Sequence, residues 1–276
     1  MSNTAIVLAF DFGASSGRAI RAVYDGQNLN YEEIHRFENI PIEKDGHLCW
    51  DVETLLKEIH TAIQKAGTFD SLGFDTWGVD FGLLDTDGHL LANPVHYRDA
   101  RTNGKPEQAA ARMPAEELYA HTGNQIMAIN TLFQLLALQE QEPELLQKAA
   151  QILFMPDLFA ALLGAEPVCE RSIASTSQML DPRTGQWSRE VLAAYGLNAN
   201  RFAPLVASGT VTGTLANGAK IIAVAGHDTQ CASAAMPCAE EDAEHTAFLS
   251  CGTWSLLGTE LDTPILTADS CQSGLS

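Results

Sequence analysis

A short run of glycines and hydroxyl side chains near the start of the chain has the residue types that bind phosphate, Asp11-Phe12-Gly13-Ala14-Ser15-Ser16-Gly17-Arg18. Glycines let backbone N–H groups approach a phosphate, serine hydroxyls donate hydrogen bonds, and Arg18 can pair with its charge. Asp11 can hold Mg²⁺, directly or through water. The run lacks the G-x-x-x-x-G-K-[ST] pattern and lies between two predicted strands, so phosphate binding here would not rely on a helix dipole. The same residue types also form ordinary hairpin turns, and spacing alone leaves both interpretations open.

A second candidate is Gly226-His227-Asp228-Thr229, which follows a predicted strand and opens a predicted helix. The partial positive charge of a helix N-terminus favours the ionised form of Asp228. An ionised carboxylate can orient a hydroxyl group and accept its proton, and phosphoryl transfer through a loose transition state needs no strong base. On local sequence alone, Asp228 is explained equally well as a helix N-cap and His227 as a structural histidine.

The segment Asp75-Thr76-Trp77-Gly78-Val79-Asp80-Phe81 separates two predicted strands with an aromatic residue, a glycine and two acids. Trp77 offers an apolar face to a sugar ring, and Asp75 or Asp80 can accept hydrogen bonds from sugar hydroxyls. A loop built around a buried tryptophan fits the composition equally well.

Two further segments carry weaker signals. In Ser250-Cys251-Gly252-Thr253, hydroxyl and backbone N–H donors can hold a β- or γ-phosphate, although an ordinary tight turn is the simpler interpretation. In Tyr97-Arg98-Asp99-Ala100-Arg101-Thr102-Asn103, two arginines flank an acid, which indicates either the lining of a cleft or a surface loop with one ion pair.

The overall composition narrows the class of protein. The chain has 276 residues, and 16 Lys and Arg against 35 Asp and Glu give a formal net charge of −19. This charge disfavours non-specific binding to nucleic acid or to an anionic membrane, but not the binding of a nucleotide. No apolar run approaches the roughly 18 residues of a transmembrane helix, and Ala5–Phe10 lacks the basic flank of a signal peptide. The 6 cysteines form no C-x-x-C pair and are expected to be reduced thiols, so a cytoplasmic protein is predicted.

The elements that must position these residues begin with three strand patterns joined by short turns, which predict an antiparallel meander. They cover Thr4–Phe12, Arg18–Tyr24 and Leu29–Phe37. A helix capped by Asp51 and ended by Gly67 follows, and Ser71–Thr76 is the next strand. This order predicts an α/β fold whose mixed sheet is flanked by helices. Further helical patterns lie at Lys105–Met113, Ala115–His121, Leu132–Gln139, Glu144–Ala150 and Ser188–Tyr195.

Near the other end of the chain, Thr246–Ser250, a glycine turn and Trp254–Glu260 repeat the order strand, turn with hydroxyls, strand. This weak internal repeat favours two lobes that each present a hairpin to one ligand. We predict a first domain over residues 1–239, an acidic connector over 240–245 and the start of a second domain over 246–276. Leu266–Ser276 is rich in small polar residues and has no predicted partner element. Since one hairpin cannot bury its own face, the second domain is expected to be truncated.

Taken together, these segments resemble the FGGY carbohydrate kinases of the actin-like ATPase superfamily, and among them the members that act on L-rhamnulose. The resemblance runs from Thr4 to near Ile265. It is carried by Asp11–Arg18, Glu33–Phe37, Trp50-Asp51, Asp75–Phe81, Tyr97–Asp99, Arg101–Asn103, Asn130–Leu132, Met155–Asp157, Gly226–Thr229 and Ser250–Leu256. The strings D-x-G-A-S-S-G-R and D-T-W-G-V-D-F are specific, and kinases for xylulose, glycerol or gluconate resemble the chain less at both places.

The resemblance implies a ribonuclease-H-like domain followed by a second of the same type, with a cleft between them. It also implies ATP-dependent phosphorylation of L-rhamnulose at its 1-hydroxyl. By position, it assigns contacts with the ATP phosphates to Ala14, Ser15, Ser16, Gly17 and Arg18, and a contact with ATP to Thr253. It assigns contacts with the sugar to Gly78, His227, Asp228 and Thr229, with Asp228 as the proton acceptor. Mg²⁺ is expected to accompany ATP, with Asp11 as its candidate ligand.

The chain departs from this family where the second domain would supply an adenosine-binding glycine motif and further sugar contacts. Closure of two lobes positions the γ-phosphate and excludes water, so this departure raises the alternative of a non-catalytic remnant that binds sugar weakly. Another alternative is a related kinase whose ketose substrate is L-fuculose or L-xylulose.

Overall fold

The computed structural model describes residues 4–239, 242, 245–251 and 255–276. Its strands are β1 (Ala5–Phe12), β2 (Ser16–Tyr24), β3 (Leu29–Glu38), β4 (Ile42–Lys44), β5 (His47–Cys49), β6 (Ser71–Thr76), β7 (Phe81–Leu84), β8 (Gln151–Phe154), β9 (Cys169–Glu170), β10 (Leu180–Asp181), β11 (Gln186–Trp187), β12 (Leu205–Val206), β13 (Thr210–Thr214), β14 (Lys220–Ala223), β15 (Ala247–Cys251) and β16 (Ser255–Thr259). Its helices are α1 (Val52–Ala66), α2 (Lys105–Ala109), α3 (Ala115–Thr122), α4 (Thr131–Gln141), α5 (Pro143–Lys148), α6 (Met155–Leu162), α7 (Arg171–Ser175), α8 (Arg189–Tyr195), α9 (Asp228–Ala234) and α10 (Ala268–Gln272). Short 3₁₀ turns lie at Ala100–Thr102 and Ala199–Arg201.

A mixed sheet in the order β13-β14-β6-β1-β2-β3 forms the centre of the molecule. The pairs β1–β2 and β2–β3 are antiparallel, whereas β6 lies parallel to both β1 and β14. The predicted meander, followed by a helix and a parallel strand, is therefore confirmed. Helices α1 and α6 pack against this sheet, so the predicted α/β class with a mixed sheet flanked by helices is confirmed as well.

Strand β1 divides its side chains between the core and the functional face. Leu8, Phe10 and Phe12 are fully buried, and the ring of Phe12 stacks on Phe159 of α6 with a centroid separation of 4.7 Å. Because successive side chains of a strand point to opposite faces, Asp11 lies on the other side of the sheet from these rings. The aromatic residues thus anchor the strand and leave Asp11 only half-buried.

Helix α1 begins and ends where the sequence predicts. The Asp51 carboxylate accepts hydrogen bonds from the Thr54 backbone N–H at 3.2 Å and from the Thr54 hydroxyl at 2.7 Å. Gly67 ends the helix with a φ of 65°, a left-handed conformation that glycine adopts without steric cost. Leu55 and Ile59 lie on the buried face and fasten the helix to the sheet.

A second apolar cluster supports the helical middle of the chain. It joins β7 and β8 to helices α3, α4 and α8 through the buried side chains Phe81, Leu118, Leu132, Phe133, Leu135, Ile152, Val191 and Tyr195. Within the described residues, no helix combines the length and apolar character needed to cross a membrane.

The prediction that Leu266–Ser276 has no partner element is wrong. Residues in this segment form α10, whose N-cap Thr267 accepts a hydrogen bond from the Ser270 backbone N–H at 3.1 Å. The segment packs on α3, where the Tyr119 hydroxyl donates to the Ile265 carbonyl at 3.3 Å. Local sequence could not reveal this contact, because its two residues are 146 positions apart.

The predicted second hairpin is confirmed as the antiparallel pair β15–β16, and α9 packs against β15. Thr253, the predicted ATP contact in its turn, lies outside the described residues. The predicted boundaries of the domains and the connector stay predictions.

Candidate active site

Two carboxylates are placed side by side by the parallel pairing of β1 and β6. Asp11 is in register with Asp75, and each lies one residue before the carboxyl end of its strand. Residues in register on neighbouring strands project from the same face of a sheet. Asp75 therefore lies beside Asp11 on the face that the core side chains leave open.

A third carboxylate reaches the same edge through the turn that precedes α9. The Thr76 backbone N–H at the end of β6 donates to the Gly226 carbonyl at 2.9 Å, and Thr76 forms a parallel bridge with His227. Helix α9 begins at the next residue, Asp228. The sequence predicted both segments as site candidates, and the structure brings them into direct contact.

The three acids form a cluster, called here the acidic cluster, of Asp11, Asp75 and Asp228. Burial raises the pKa of Asp75 to about 8, with the charges of Asp11 and Asp228 adding to the rise and Arg18 opposing it. Among the described residues, nothing donates a hydrogen bond to the Asp75 carboxyl group. Asp75 is thus mostly protonated at pH 7, because its burial and the two neighbouring carboxylates disfavour a further negative charge at this edge.

Arg18 is paired with Asp11 across the β1–β2 register. Its Nε donates to Asp11 Oδ2 at 2.7 Å, and its Nη2 contacts the same oxygen. The two side chains are 45% and 30% exposed, and an ion pair this open to water contributes little stability. The guanidinium can therefore exchange a carboxylate for a phosphate at small cost.

The turn between β1 and β2 has its carbonyl groups tied inward. The Gly13 N–H donates to the Ser16 carbonyl at 2.9 Å. Asn39, just beyond β3, donates from its side chain to the Gly13 carbonyl at 2.9 Å and from its backbone to the Ser15 carbonyl at 3.0 Å. Carbonyl oxygens would repel a phosphate, so satisfying them internally leaves the exposed Ser15 to present donors outward.

Two residues fix this turn, Gly17 and Asn39, and the sequence analysis predicted only the first as a site residue. Gly17 was predicted, and its glycine identity follows from packing: a Cβ there would lie 2.3 Å from the Phe37 ring. Asn39 was missed, because nothing in its spacing links it to Gly13. The structure brings Ala14, Ser15, Ser16 and Gly17 together in one turn, and their phosphate contacts stay a prediction.

The predicted sugar-contacting residues meet at Gly78. A Cβ on Gly78 would lie 3.1 Å from Thr176 Cγ2 and 3.3 Å from His227 Nε2, so the absence of a side chain lets Thr176 and His227 pack closely against this backbone. His227 is mostly buried, and burial lowers its pKa, which keeps the imidazole neutral at pH 7. Its Nδ1 has no hydrogen-bond partner among the described residues, leaving a polar atom at the site without a protein partner.

Asp228 is held by one oxygen and free at the other. Its Oδ1 accepts from the Thr229 backbone N–H at 2.6 Å and from the Thr229 hydroxyl at 3.3 Å, and His227 Nε2 lies 3.4 Å away. The Asp228 side chain is 42% exposed. Within the described residues no donor reaches Oδ2, so this oxygen can accept a hydrogen bond from a ligand.

Trp77 and Asp80 lie in the core, which confirms the buried-tryptophan interpretation of their segment. Trp77 is 5% exposed, and its Nε1 donates to Asp80 Oδ2 at 3.0 Å. Its ring lies against Trp50 with the centroids 4.0 Å apart. Neither side chain is open to a sugar.

The Tyr97–Asn103 segment also turns inward. Asp99 caps the 3₁₀ turn by accepting from the Arg101 backbone N–H at 2.9 Å. The buried Arg101 guanidinium donates to Gln134 Oε1 at 2.9 Å. Tyr97, Arg101 and Thr102 of this segment are therefore buried and support the core near Asp80, while Arg98 and Asn103 remain exposed.

The residues present suit a magnesium-bound phosphate. Carboxylate oxygens are the ligand type that Mg²⁺ prefers, but among the described residues those of the acidic cluster do not all lie within 4.8 Å of one another, so the three acids are not a ready-made three-ligand site. Asp11 lies in the cluster between the phosphate-type turn and Asp75. Asp11 thus remains the candidate ligand, and the open oxygen of Asp228 lies at the same edge.

A model of the FGGY family of carbohydrate kinases, N-terminal domain, matches residues 6–234. The chain belongs to the FGGY family of carbohydrate kinases. It is 41% identical over 274 residues to a rhamnulokinase of Bacteroides thetaiotaomicron, a match that covers 95% of this chain and 56% of the relative. The chain therefore spans about half the length of this curated relative. The family resemblance predicted from the sequence is confirmed.

Solved structures of sugar kinases share the fold. A carbohydrate kinase from Novosphingobium aromaticivorans superposes with a TM-score of 0.77 at 23% identity, over 97% of this FGGY chain and 58% of the other. A gluconate kinase from Lactobacillus acidophilus gives a TM-score of 0.71 at 17% identity, over 80% and 48% of the two chains. At these identities the likeness shows the fold alone.

Proposed function

We propose that this chain provides the sugar-binding and phosphate-binding half of an ATP-dependent ketose kinase, with L-rhamnulose as its substrate. The reaction transfers the γ-phosphoryl group of ATP to the 1-hydroxyl and yields L-rhamnulose 1-phosphate and ADP. The 41% identity to a rhamnulokinase supports this substrate over the related ketoses L-fuculose and L-xylulose. One observation carries the proposal: the hydrogen bond from Thr76 to Gly226 joins the two segments that bear the sugar-type and base-type residues.

Asp228 is the proton acceptor in this proposal. Thr229 fixes its Oδ1, and the free Oδ2 accepts the hydrogen bond of the sugar 1-hydroxyl. The proton moves to Oδ2 as the hydroxyl oxygen bonds to the γ-phosphorus and the bond to the β-phosphate oxygen breaks. Because this transition state is loose, orientation of the hydroxyl matters more than the basicity of Asp228.

The sugar lies against Gly78, His227 and Thr229. Gly78 lets the His227 ring lie close to the backbone, and the 19% of the His227 side chain that is exposed provides a polar contact for the ketose. A neutral imidazole both donates and accepts hydrogen bonds, which suits sugar hydroxyls. Two or three such contacts fix which hydroxyl faces Asp228.

The ATP phosphates bind the turn from Ala14 to Arg18. Its inward-tied carbonyls leave donors facing outward, and Arg18 moves from Asp11 to a phosphate oxygen. Asp11 would hold the Mg²⁺ that accompanies ATP, and that ion would supply neutralisation of charge on the phosphate oxygens. A neutral Asp75 lowers the charge repulsion between this edge and the nucleotide.

The test is ADP release by the purified chain with L-rhamnulose, L-fuculose and L-xylulose at equal concentrations, together with ketose binding followed by ligand-observed NMR. We expect binding of L-rhamnulose in preference to the other two, and turnover with the same order. A chain that binds L-rhamnulose without ADP release would contradict turnover by this half alone. Equal binding of all three ketoses would contradict the substrate assignment.

A further inference from the structure

A buried carboxylate, Glu170, lies directly behind the turn that carries His227 and Asp228. It is the last residue of β9 and the N-cap of α7, and only 1% of its surface is exposed. No spacing in the sequence connects it to Gly226, which is 56 residues away. A charged side chain is rarely buried to this extent unless its hydrogen bonds are satisfied.

Five hydrogen bonds converge on this carboxylate. Oε2 accepts from the Ser172 backbone N–H at 2.9 Å, the Ser172 hydroxyl at 2.6 Å and the Ile173 N–H at 3.2 Å. Oε2 also accepts from the Gly226 N–H at 3.1 Å. Oε1 accepts from the Ser208 hydroxyl at 2.7 Å. Glu170 thereby ties together the start of α7, the loop before β13 and the turn before α9.

A second acid, Asp157, lies beside Glu170 in the core. The Glu170 N–H donates to Asp157 Oδ2 at 3.1 Å. Burial raises the pKa of Asp157 well above its ordinary value, and the charge of Glu170 raises it further. The raised pKa of Asp157 favours its neutral form, which limits the negative charge buried beside Glu170.

The Gly226 peptide is held from both sides. Its N–H donates to Glu170, and its carbonyl accepts from the Thr76 N–H at 2.9 Å. The next N–H, that of His227, points at the Ser172 hydroxyl at 3.5 Å. A Cβ on Gly226 would lie 2.9 Å from Pro156 Cγ, so the peptide has no room to shift toward α6.

We propose that Glu170 is a positioning residue, which locks the Gly226 turn and thereby sets where His227 and Asp228 meet the substrate. This inference rests on the proposed kinase function, because it assigns Glu170 a role through Asp228. The hydrogen bond from the Gly226 N–H to Glu170 restrains the peptide two residues before the base. Misplacement of a reacting group by about 1 Å can cost about 100-fold in rate.

The experiment compares three variants of the full chain. Glu170→Ala removes all five hydrogen bonds. Glu170→Gln keeps an oxygen for the Gly226 N–H, and its amide can donate to the Ser208 hydroxyl. Ser208→Ala is the matched control, because it removes one hydrogen bond to Oε1 and leaves every bond to the turn in place.

Two readouts are measured: kcat and KM for L-rhamnulose, and amide hydrogen exchange at Gly226–Thr229. For Glu170→Ala we expect a loss in kcat of about 10- to 100-fold with a smaller change in KM, and faster exchange confined to the turn. Glu170→Gln should recover most of the kcat. Ser208→Ala should lower the melting temperature while kcat and exchange in the turn stay at wild-type values.

A purely structural role for Glu170 would give a different pattern. In that case Ser208→Ala and Glu170→Ala would change kcat in proportion to their loss of stability, or neither would change exchange at the turn, and the proposal would be overturned. Should Glu170→Ala not fold, Ser172→Ala replaces it, since it removes the hydroxyl between Glu170 and the His227 N–H. Absence of L-rhamnulose binding by the wild-type chain would count against the kinase proposal, while the exchange data would still decide whether Glu170 holds the turn.

Discussion

Asp75 and Asp80 lie five positions apart in one segment, yet their surroundings are opposite. The Asp80 carboxylate is 1% exposed and accepts four hydrogen bonds, two from the indoles of Trp50 and Trp77, one from a backbone N–H and one from an amide side chain. Their donors and distances are Trp50 Nε1 at 2.6 Å, Trp77 Nε1 at 3.0 Å, the Tyr97 N–H at 3.1 Å and Gln134 Nε2 at 2.9 Å. Asp75 faces two other carboxylates and has no donor among the described residues. A carboxylate surrounded by donors organises the core, whereas one placed among other acids is kept available for ligands.

The backbone between the two acids produces this difference. Val79 has a φ of 68°, a left-handed conformation that a β-branched residue rarely adopts. Its N–H donates to Thr176 Oγ1 at 3.0 Å, and its carbonyl accepts from Thr131 Oγ1 at 2.6 Å. These bonds hold a strained turn that directs Asp80 into the core after Asp75 has pointed to the functional face.

The largest expected effect is that of Asp228→Asn, a substitution in the acidic cluster that also contains Asp75. The amide keeps the shape and the bond to Thr229 but cannot accept the proton, so turnover should fall about 1000-fold while L-rhamnulose binding changes little. Steady-state kinetics and NMR titration measure the two quantities. The control is Asp262→Asn on the exposed surface, and equal turnover in both variants would remove Asp228 from its role.

The second largest effect is expected for Asp80→Ala, which removes the acid that accepts four hydrogen bonds in the core. Removal of this carboxylate leaves four buried donors without an acceptor, so the free energy of unfolding should fall by about 3 kcal/mol or more. Urea unfolding measures it. Asp87→Ala on the exposed turn after β7 is the matched control and should cost well under 1 kcal/mol. A loss no larger than that of the control would show that Asp80 is dispensable to the core.

A smaller effect, of opposite sign, is expected for Asp75→Asn. The folded-state pKa of Asp75 is raised from 3.8 to about 8, so its contribution to stability is full below pH 3.8 and is lost as pH rises toward 8. The variant should therefore gain stability over the wild type between pH 4 and pH 8, by about 2 kcal/mol in total after allowance for partial exposure.

Urea unfolding from pH 4 to pH 9 in EDTA checks this prediction. Asp85→Asn is a control of opposite sign, because hydrogen bonds from the His89 and Asp87 N–H groups lower the pKa of Asp85. A difference between wild type and Asp75→Asn that does not vary with pH would contradict the account of the acidic cluster.

The smallest effect is expected at the junction of the two regions, through Gly78→Ala. The added Cβ would meet Thr176 Cγ2 at 3.1 Å and His227 Nε2 at 3.3 Å, so these neighbours must shift by a few tenths of an ångström. We expect the Kd for L-rhamnulose to rise about fivefold, equivalent to about 1 kcal/mol, with stability almost unchanged. Calorimetric titration measures it, and an unchanged Kd would place the sugar away from this glycine.

Much of the site could be predicted because its segments are marked locally. The turn after Asp11 carries its glycines and serines within one short stretch, and Asp228 follows a strand and opens a helix. The sequence could not separate Asp75 from Asp80, because both are acids in the same motif. Nor did it indicate Asn39 or Glu170, whose partners lie 26 and 56 residues away.

By itself the sequence determined the strand meander, the helix from Asp51 to Gly67, the family and the residues at which phosphate and sugar chemistry is proposed. These features depend on hydrogen bonds, side-chain periodicity and turn residues that lie close together in the chain. The tertiary structure alone decided which acid receives hydrogen bonds and which does not, what holds the Gly226 turn, and that the last helix packs on α3. Those outcomes depend on burial and on donors from distant segments, and the free energy of a carboxylate is set by its surroundings after folding rather than by its neighbours in the chain.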